Sequence, residues 1–294
     1  MELRQLEYFV AVAEEANFTR AAERVRISQS GVSAQIRQLE HDLGATLIDR
    51  SGRRATLTAA GAVVLEHARA VLSSAQALRR AVDDVNGLIR GRLVVGMVTA
   101  CTVTPFFDAL AAFHLAHPGV ELVLFEDNSD RLIEGVRTGS ADLALVGTAV
   151  ATPDGVRAMP IISERLVAIV ADGHPLAGRR GASLAEIAEF PIVCLPPGTG
   201  IRTVFDQACA DGGVKPDIAL QASAPGAIMD LAMRGLGVAI LSESMAVPHQ
   251  ERLSVLMIDD VETHAVLALI WPTTTNPALQ ELVRYGRTAF GGGT

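Results

Sequence analysis

Near the N-terminus the apolar positions repeat at helical spacing in three consecutive runs. Leu3, Leu6, Phe9, Val10 and Ala13 stripe a first helix, and Phe18, Ala21, Ala22 and Val25 give one apolar face to a second segment of little more than two turns. So short a helix needs neighbours to be stable. Arg26 and Ile27 make a turn, and Ser28 stands where an N-cap belongs, its hydroxyl placed to accept free backbone N–H groups of the next helix. In that third helix Val32, Ile36, Leu39 and Leu43 bury one face, which leaves Gln29, Ser30, Ser33, Ala34 and Arg37 pointing elsewhere. Amides and hydroxyls near a helix N-terminus suit base-edge reading in a major groove, where Gln pairs bidentately with adenine and Ser with several partners. An ordinary polar helix face has the same pattern, so the neighbouring segments must decide.

Gly44 stops the third helix, and residues 46–57 read as a two-stranded wing. Leu47 and Ile48 enter the core, while Arg50, Arg53 and Arg54 cluster about a glycine turn within reach of phosphates or a narrow minor groove. Thr58 caps a long helix running to about residue 89. Along it Val64, Ala68, Val71, Ala75, Leu78, Val82, Val85 and Ile89 step by four and three, the seam of a coiled coil whose partner is a second copy of the chain. Leu65 and Leu72, just off the seam, face their own domain. From Arg92 onward, short apolar strands at 93–97, 120–125 and 143–146 alternate with helical patterns at 105–116 and 131–138. A second set follows, with strands at 166–170, 192–195, 218–221 and 238–241 and helices at 184–189, 201–210 and 227–234. This wiring predicts two α/β lobes built on parallel sheets. The strand at 265–271 and the helix at 277–290 return to the first lobe, and two crossings make a hinge.

A net charge of −8 should by itself repel nucleic acid. The charge is unevenly spread, because residues 1–90 hold twelve Arg against eleven acids whereas residues 91–294 hold thirteen Lys and Arg against twenty-two acids. The N-terminal part therefore has local Arg for phosphate contacts. No apolar run is long enough to span a bilayer and the start, MELRQLEYF, is amphipathic rather than signal-like, so a soluble, cytoplasmic protein without membrane contact is expected. Cys101, Cys194 and Cys209 lack metal-ligand spacing, and reduced thiols are the default, with no metal and no cofactor expected.

The first 61 residues resemble LysR-type transcriptional regulators almost position by position, through Phe18, Ala21, Ala22, Ser28, Gln29, Ser30, Val32, Ser33, Ile36, Leu39, Glu40, Gly44, Leu47, Arg50, Thr58 and Gly61. The resemblance extends to the C-terminal helix. It implies an α/β fold overall, with an N-terminal α-rich winged helix-turn-helix at 1–58 and a dimerising linker helix at 59–90. An effector-binding domain at 91–294 would follow, made of two lobes similar to type 2 periplasmic binding proteins, lobe one at 91–161 and 266–294 and lobe two at 162–265. It further implies double-stranded promoter DNA as a partner, a homodimer commonly assembled into a tetramer, and RNA polymerase as a further candidate partner. The expected DNA-contacting set is Thr19, Ser28, Gln29, Ser30, Ser33, Ala34, Arg37, Arg50, Arg53 and Arg54. Two positions depart from many relatives, with Ala34 where a basic residue is common and Ile48 where an aromatic is common.

A small-molecule effector is expected between the lobes, where strands end and helices begin and free N–H groups face outward. Thr99, Ala100, Cys101, Thr102, Gly147 and Thr148 supply one side, and Thr199, Gly200, Ile201, Arg202, Thr203, Ala222 and Ser223 the other. Hydroxyls and one arginine point to a small carboxylate or similarly polar metabolite. Gly198-Thr199-Gly200 begins like a dinucleotide fingerprint, but Thr203 replaces its third glycine and no acid stands at Gln221-Ala222, so an NAD enzyme is disfavoured. A metabolite-binding protein or enzyme would account for the lobes and leave the first 90 residues without a purpose. Thiol-based redox sensing, known in some similar regulators, would use Cys209, but its expected partner would fall near Thr199-Gly200, where no thiol stands.

Overall fold

The computed structural model describes residues 1–50, 54–85, 90–246, 253–274 and 276–291, and the side chains at 73, 76, 77, 79, 80 and 81–85 lie outside that description. Contacts divide the chain into two compact units, Met1–Gly87 with Thr138–Ser140, and Leu88–Arg137 with Ala141–Thr294.

In the first unit α1 (Leu3–Glu15), α2 (Phe18–Val25) and α3 (Gln29–Leu43) pack on one core with the start of α4 (Ala59–Val85). The buried side chains are Leu6, Phe9, Val12, Ala21, Ala22, Val32, Ile36 and Leu39, so the periodic reading holds in the middle of each helix. It fails at the ends. Leu3 and Leu43 are both exposed, because terminal turns project beyond the crossing helices. Asn17 caps α2 through Thr19 and Arg20 N–H groups, and Ser28 caps α3 by accepting the Gly31 N–H at 3.1 Å. Gly44 ends α3 in the left-handed conformation, as expected of a C-cap glycine. The wing is a two-residue antiparallel pair, β1 (Ile48–Asp49) with β2 (Thr56–Leu57), and Leu47 and Ile48 are buried beneath it. Thr58 accepts the Gly61 N–H at 2.9 Å and starts α4. Glycine is required at Gly61, since a Cβ there would lie 2.1 Å from the Leu47 carbonyl oxygen.

The expected dimer seam needs correction over its first turns. Ala68 is fully buried in the unit's own core and Val64 packs against it, together with Leu65 and Leu72. The reason is that α1 lies along the first half of α4 and covers that stripe. Val71 and Leu78 remain exposed, Ala75 is half-buried, and Ile89 and the side chains of Val82 and Val85 lie outside the described residues.

The second unit holds two sheets. One runs β4 (Val120–Asp127), β3 (Gly91–Val98), β5 (Leu143–Thr148), β13 (Ala265–Trp271) and β6 (Arg157–Glu164). The other runs β10 (Ile218–Gln221), β9 (Ile192–Cys194), β11 (Val238–Ser242), β7 (Leu166–Ala171), β12 (Leu253–Ile258) and β8 (Gly181–Ala182). Both are mixed rather than parallel, because β13 runs antiparallel to β5 and β6, and β7 antiparallel to β11 and β12. Strands β6, β8 and β12 have no counterpart in the periodic reading. Pro160 interrupts β6, which is tolerated because β6 is an edge strand with an irregular register opposite Leu267/Ala268. Strand β6 also continues to Glu164, through the lobe boundary expected after residue 161, so the first crossing falls at Arg165. The return crossing lies just before β13, whose first residue Ala265 already belongs to the five-stranded sheet. Helix α11 (Pro277–Ala289) then packs on α5 (Thr104–Ala116) of the first lobe, where Phe113 and Tyr285 meet edge to face at 5.9 Å between ring centroids.

Candidate functional site

Two surfaces carry chemistry, one in each unit. In the first, burial of Val32, Ile36 and Leu39 turns Gln29, Ser30, Ala34 and Arg37 outward on α3, with Ser33 half-buried beside them. Thr19 is exposed at the start of α2. Ser28 is committed to its cap, with its hydroxyl 3.2 Å from that of Ser30. The wing arginines differ from one another. Arg54 is exposed and Arg53 lies outside the described residues, but Arg50 is held on the protein: Nη2 donates to Glu40 Oε2 at 2.9 Å, Nη1 to Ser33 Oγ at 3.2 Å, and the guanidinium covers the Phe18 ring at 5.1 Å. Glu40 also accepts the Leu47 and Ile48 backbone N–H groups at 2.9 and 3.1 Å. One carboxylate thus joins the outward helix to the wing through three donors. Sequence reasoning assigned Glu40 no task, and its pairing with residues seven to ten positions away has no periodic signature.

Further along α1, Glu14 pairs with Arg24 and Arg69 at 2.8 and 2.9 Å, so those two cations are satisfied within the unit. Arg37 forms no ion pair among the described residues. The outward face of α3 therefore offers one cation beside amide and hydroxyl groups.

In the second unit a cavity of about 760 Å³ opens where the five-stranded sheet faces helices α8 (Gly200–Asp211) and α9 (Pro225–Met233). Thr99, Ala100, Cys101, Thr102, Gly147, Thr199, Gly200, Ile201 and Ser223 all line it. Four expected residues do not. Thr148 is buried and its Oγ1 accepts the Val150 N–H; Thr203 turns back to donate to the Thr199 carbonyl at 3.1 Å; the Ala222 N–H is spent on the Cys194 carbonyl. Arg202 is directed away, with Nε on Asp206 Oδ1 at 2.7 Å and Nη1 on the Leu195 carbonyl at 3.1 Å, so the arginine expected to hold a carboxylate is already paired behind the wall. The lining also includes residues that the sequence reading missed. Asn128 and Ser129 begin α6 (Ser129–Thr138), where Ser129 Oγ accepts the Gly147 N–H at 3.0 Å; a polar pair directly after a strand was a usable signal. Glu164, Met229 and Met245 come from tertiary folding alone.

The two lobes meet backbone to backbone beside this cavity. A Cβ on Gly200 would stand 2.3 Å from both the Gly147 carbonyl carbon and the Thr148 nitrogen, and Asp130 N–H donates to the Gly198 carbonyl at 3.2 Å. The Gly198-Thr199-Gly200 turn is therefore glycine-rich so that α8 can abut β5. At the hinge, Ser244 N–H donates to Glu164 Oε2 at 3.1 Å. Ala100 takes a left-handed conformation and gives its N–H to Glu126 at 3.2 Å. Burial raises the Cys101 and Cys194 thiols above the ordinary cysteine range, and burial with the nearby Asp206 charge pushes Cys209 up to about 11. All three therefore stay protonated at neutral pH and are poor nucleophiles.

Comparison with known proteins bears on both units. Residues 3–62 match the family model "Bacterial regulatory helix-turn-helix protein, lysR family", and residues 86–291 match "LysR substrate binding domain". The chain is 34% identical over 243 residues to the RuBisCO operon transcriptional regulator of Allochromatium vinosum, covering 82% of this chain and 80% of that protein. It is 35% identical over 246 residues to a probable hydrogen peroxide-inducible genes activator of Mycobacterium avium, covering 83% and 78%. Among solved structures it superimposes on full-length CbnR complexed with its target DNA, with a TM-score of 0.62 at 26% identity, covering 98% of this chain and 100% of that one. No helix among the described residues is long and apolar enough to cross a membrane. With a winged helix-turn-helix and an effector-type domain both matched along the chain, the protein belongs to the LysR family of transcriptional regulators.

Proposed function

We propose that this protein binds double-stranded promoter DNA in the cytoplasm through α3 and the wing, and that a small molecule held between the lobes sets the outcome. Its role is recognition without turnover. The observation that carries the DNA reading is the division of α3 into a buried Val32, Ile36, Leu39 face and an outward Gln29, Ser30, Ala34, Arg37 face next to a wing anchored by Glu40. Bases are read by Gln29 and Ser30, Ser33 contributes while bonded to Arg50, and Arg37, Arg54 and Thr19 meet the phosphate backbone. The first 58 residues hold eight Arg against eight acids, so one copy binds weakly and specific binding needs paired half-sites. Two copies join along the part of α4 beyond its own core, where Val71 and Leu78 are 41% and 72% exposed, and dimers combine into tetramers. RNA polymerase is the partner through which occupancy changes transcription.

The test is fluorescence anisotropy of the full-length protein on DNA from upstream of its own gene, with unrelated DNA as competitor. Gln29→Ala should weaken binding to the upstream fragment by roughly 5- to 150-fold, the cost of about 1–3 kcal/mol for a lost bidentate base pair, and leave binding to the competitor almost unchanged. An equal loss on both DNAs would assign Gln29 to the backbone, and no loss on either would remove α3 as the reader.

A further inference from the structure

The cleft's charge and shape say more about its ligand than the fold does. Its two charged lining side chains among the described residues are Asp127 and Glu164, both carboxylates. They end β4 and β6, the two edge strands of the five-stranded sheet, on the same end of the sheet because β6 runs parallel to β3, β4 and β5 through its antiparallel neighbour β13. Four strand spacings separate them by about 19 Å across the sheet, and the register sets Glu164 three residues further along it than Asp127. Between them the wall is apolar, formed by Val98, Ile162, Leu195, Met229, Met245 and Leu267. Arg202 is turned away and paired with Asp206, while Arg131 lies 3.7 Å from Asp127 and offsets that carboxylate, so Glu164 carries the negative charge of the lining. An anion entering this space would lose its hydration and meet the Glu164 carboxylate, with no lysine or arginine among the lining residues to replace its solvent.

The cavity also offers neutral donors, the hydroxyls of Thr99, Thr102, Ser223 and Ser244 beside backbone N–H groups. Helices α5, α8 and α9 begin at its rim, and their N-cap residues Val103, Thr199 and Ala224 make no side-chain cap hydrogen bond. The N–H groups of a first helical turn without a cap suit a neutral acceptor oxygen as well as a charged one, and do not require a formal charge. The volume, about 760 Å³, is of the size that encloses a drug-sized molecule and is loose around a small acid.

We propose that the effector is an uncharged, largely apolar molecule with an aromatic or aliphatic body and carbonyl, ether or hydroxyl oxygens as acceptors, and that anionic molecules are excluded. This rests on the reading of the cleft as the effector site. Methionines at 229 and 245 adapt to the body, while Glu164 imposes the exclusion.

The test uses two fluorescent probes with one ring skeleton, N-phenyl-1-naphthylamine, which is uncharged, and 1-anilinonaphthalene-8-sulfonate, its anionic relative. Each is titrated into the full-length protein, its Glu164→Gln and Ser244→Lys variants, and Gly226→Trp, in which the new ring fills the cavity from a position with open space around its Cβ. The uncharged probe should bind at least about tenfold more tightly than the sulfonate. Glu164→Gln and Ser244→Lys should each shrink that ratio by roughly threefold or more, and Gly226→Trp should abolish binding of the uncharged probe. Tighter binding of the sulfonate, still abolished by Gly226→Trp, would overturn the ligand class and leave the site standing. Binding of neither probe, or binding insensitive to Gly226→Trp, would overturn the site assignment and the ligand class together.

Discussion

Replacing Glu40 with alanine removes three bonds at once. The Leu47 and Ile48 N–H groups lie in residues 0% and 2% exposed, so each loses its acceptor in a dry environment, at about 1–3 kcal/mol apiece. The Arg50 ion pair is partly exposed, at 31% for Arg50 and 13% for Glu40, and adds at most about 1 kcal/mol after allowance for solvent screening. Together the loss comes to about 2–7 kcal/mol. Glu40→Gln keeps a carbonyl oxygen for the two backbone donors and forfeits mainly the charge opposite Arg50, so it should cost about 1 kcal/mol. Hydrogen exchange read by mass spectrometry on the full-length protein separates the two. Peptides covering residues 28–50 and 54–58 should exchange at least about thirtyfold faster in Glu40→Ala and about fivefold faster in Glu40→Gln. The single tryptophan, Trp271, lies in β13 of the second unit, so its fluorescence transition is a control that should not move. Equal exchange in both variants would show that the backbone bonds contribute nothing. A shifted Trp271 transition would show that the effect is not local to the first unit.

Three other perturbations follow from the geometry. Gly200→Ala puts a Cβ against the Gly147–Thr148 backbone, and such overpacking costs about 1–3 kcal/mol, so the Trp271-monitored Tm should drop by several degrees; an unchanged Tm would deny the close lobe contact. Glu186 is held down to about 2 by the Ser183 backbone N–H, then by Arg179 and the Ser183 hydroxyl. Its folded pKa lies below the ordinary value of 4.5, so its stabilisation is complete above about pH 4.5 and is lost as pH falls towards 2. Glu186→Gln should therefore lower the urea midpoint at about pH 6 and much less at about pH 3, and equal shifts at both would contradict that origin. Cys209, pushed up to about 11 from 9.0, holds about a hundredfold less thiolate than a cysteine at the reference value, so peroxide should leave promoter binding intact; a lost footprint restored by dithiothreitol would instead favour the redox reading suggested by the peroxide-inducible relatives.

The helices of the first unit were legible because a 3.6-residue period and local caps at Ser28, Gly44 and Thr58 point to the same boundaries. The Glu40 clamp was not, since it joins a helix to backbone in the wing, a relation that no residue type announces. Similarly, Ala68 sits at a seam position by spacing, yet which face of α4 is covered depends on where α1 lies. In the second unit most strands were found as apolar runs, whereas β6 was hidden by Pro160 and an irregular burial pattern, and the direction of β13 and β7 was set by chain crossings rather than by composition. The cleft was located through the turns after β3, β5 and β9, but its charge was misjudged. Arg202 lies at the right place in the sequence and faces Asp206 in the fold, while Glu164 arrives on the strand that went unseen.

A nuclease footprint of the purified full-length protein on the region upstream of its own gene, taken across a salt series, should show two protected half-sites on one face of the helix, about 10 base pairs or a multiple of it apart, with affinity falling as salt rises. Glu40→Ala should blur both half-sites, and Gln29→Ala should move their protection to roughly 5- to 150-fold higher protein concentration. Absence of protection even at low salt would contradict the central claim.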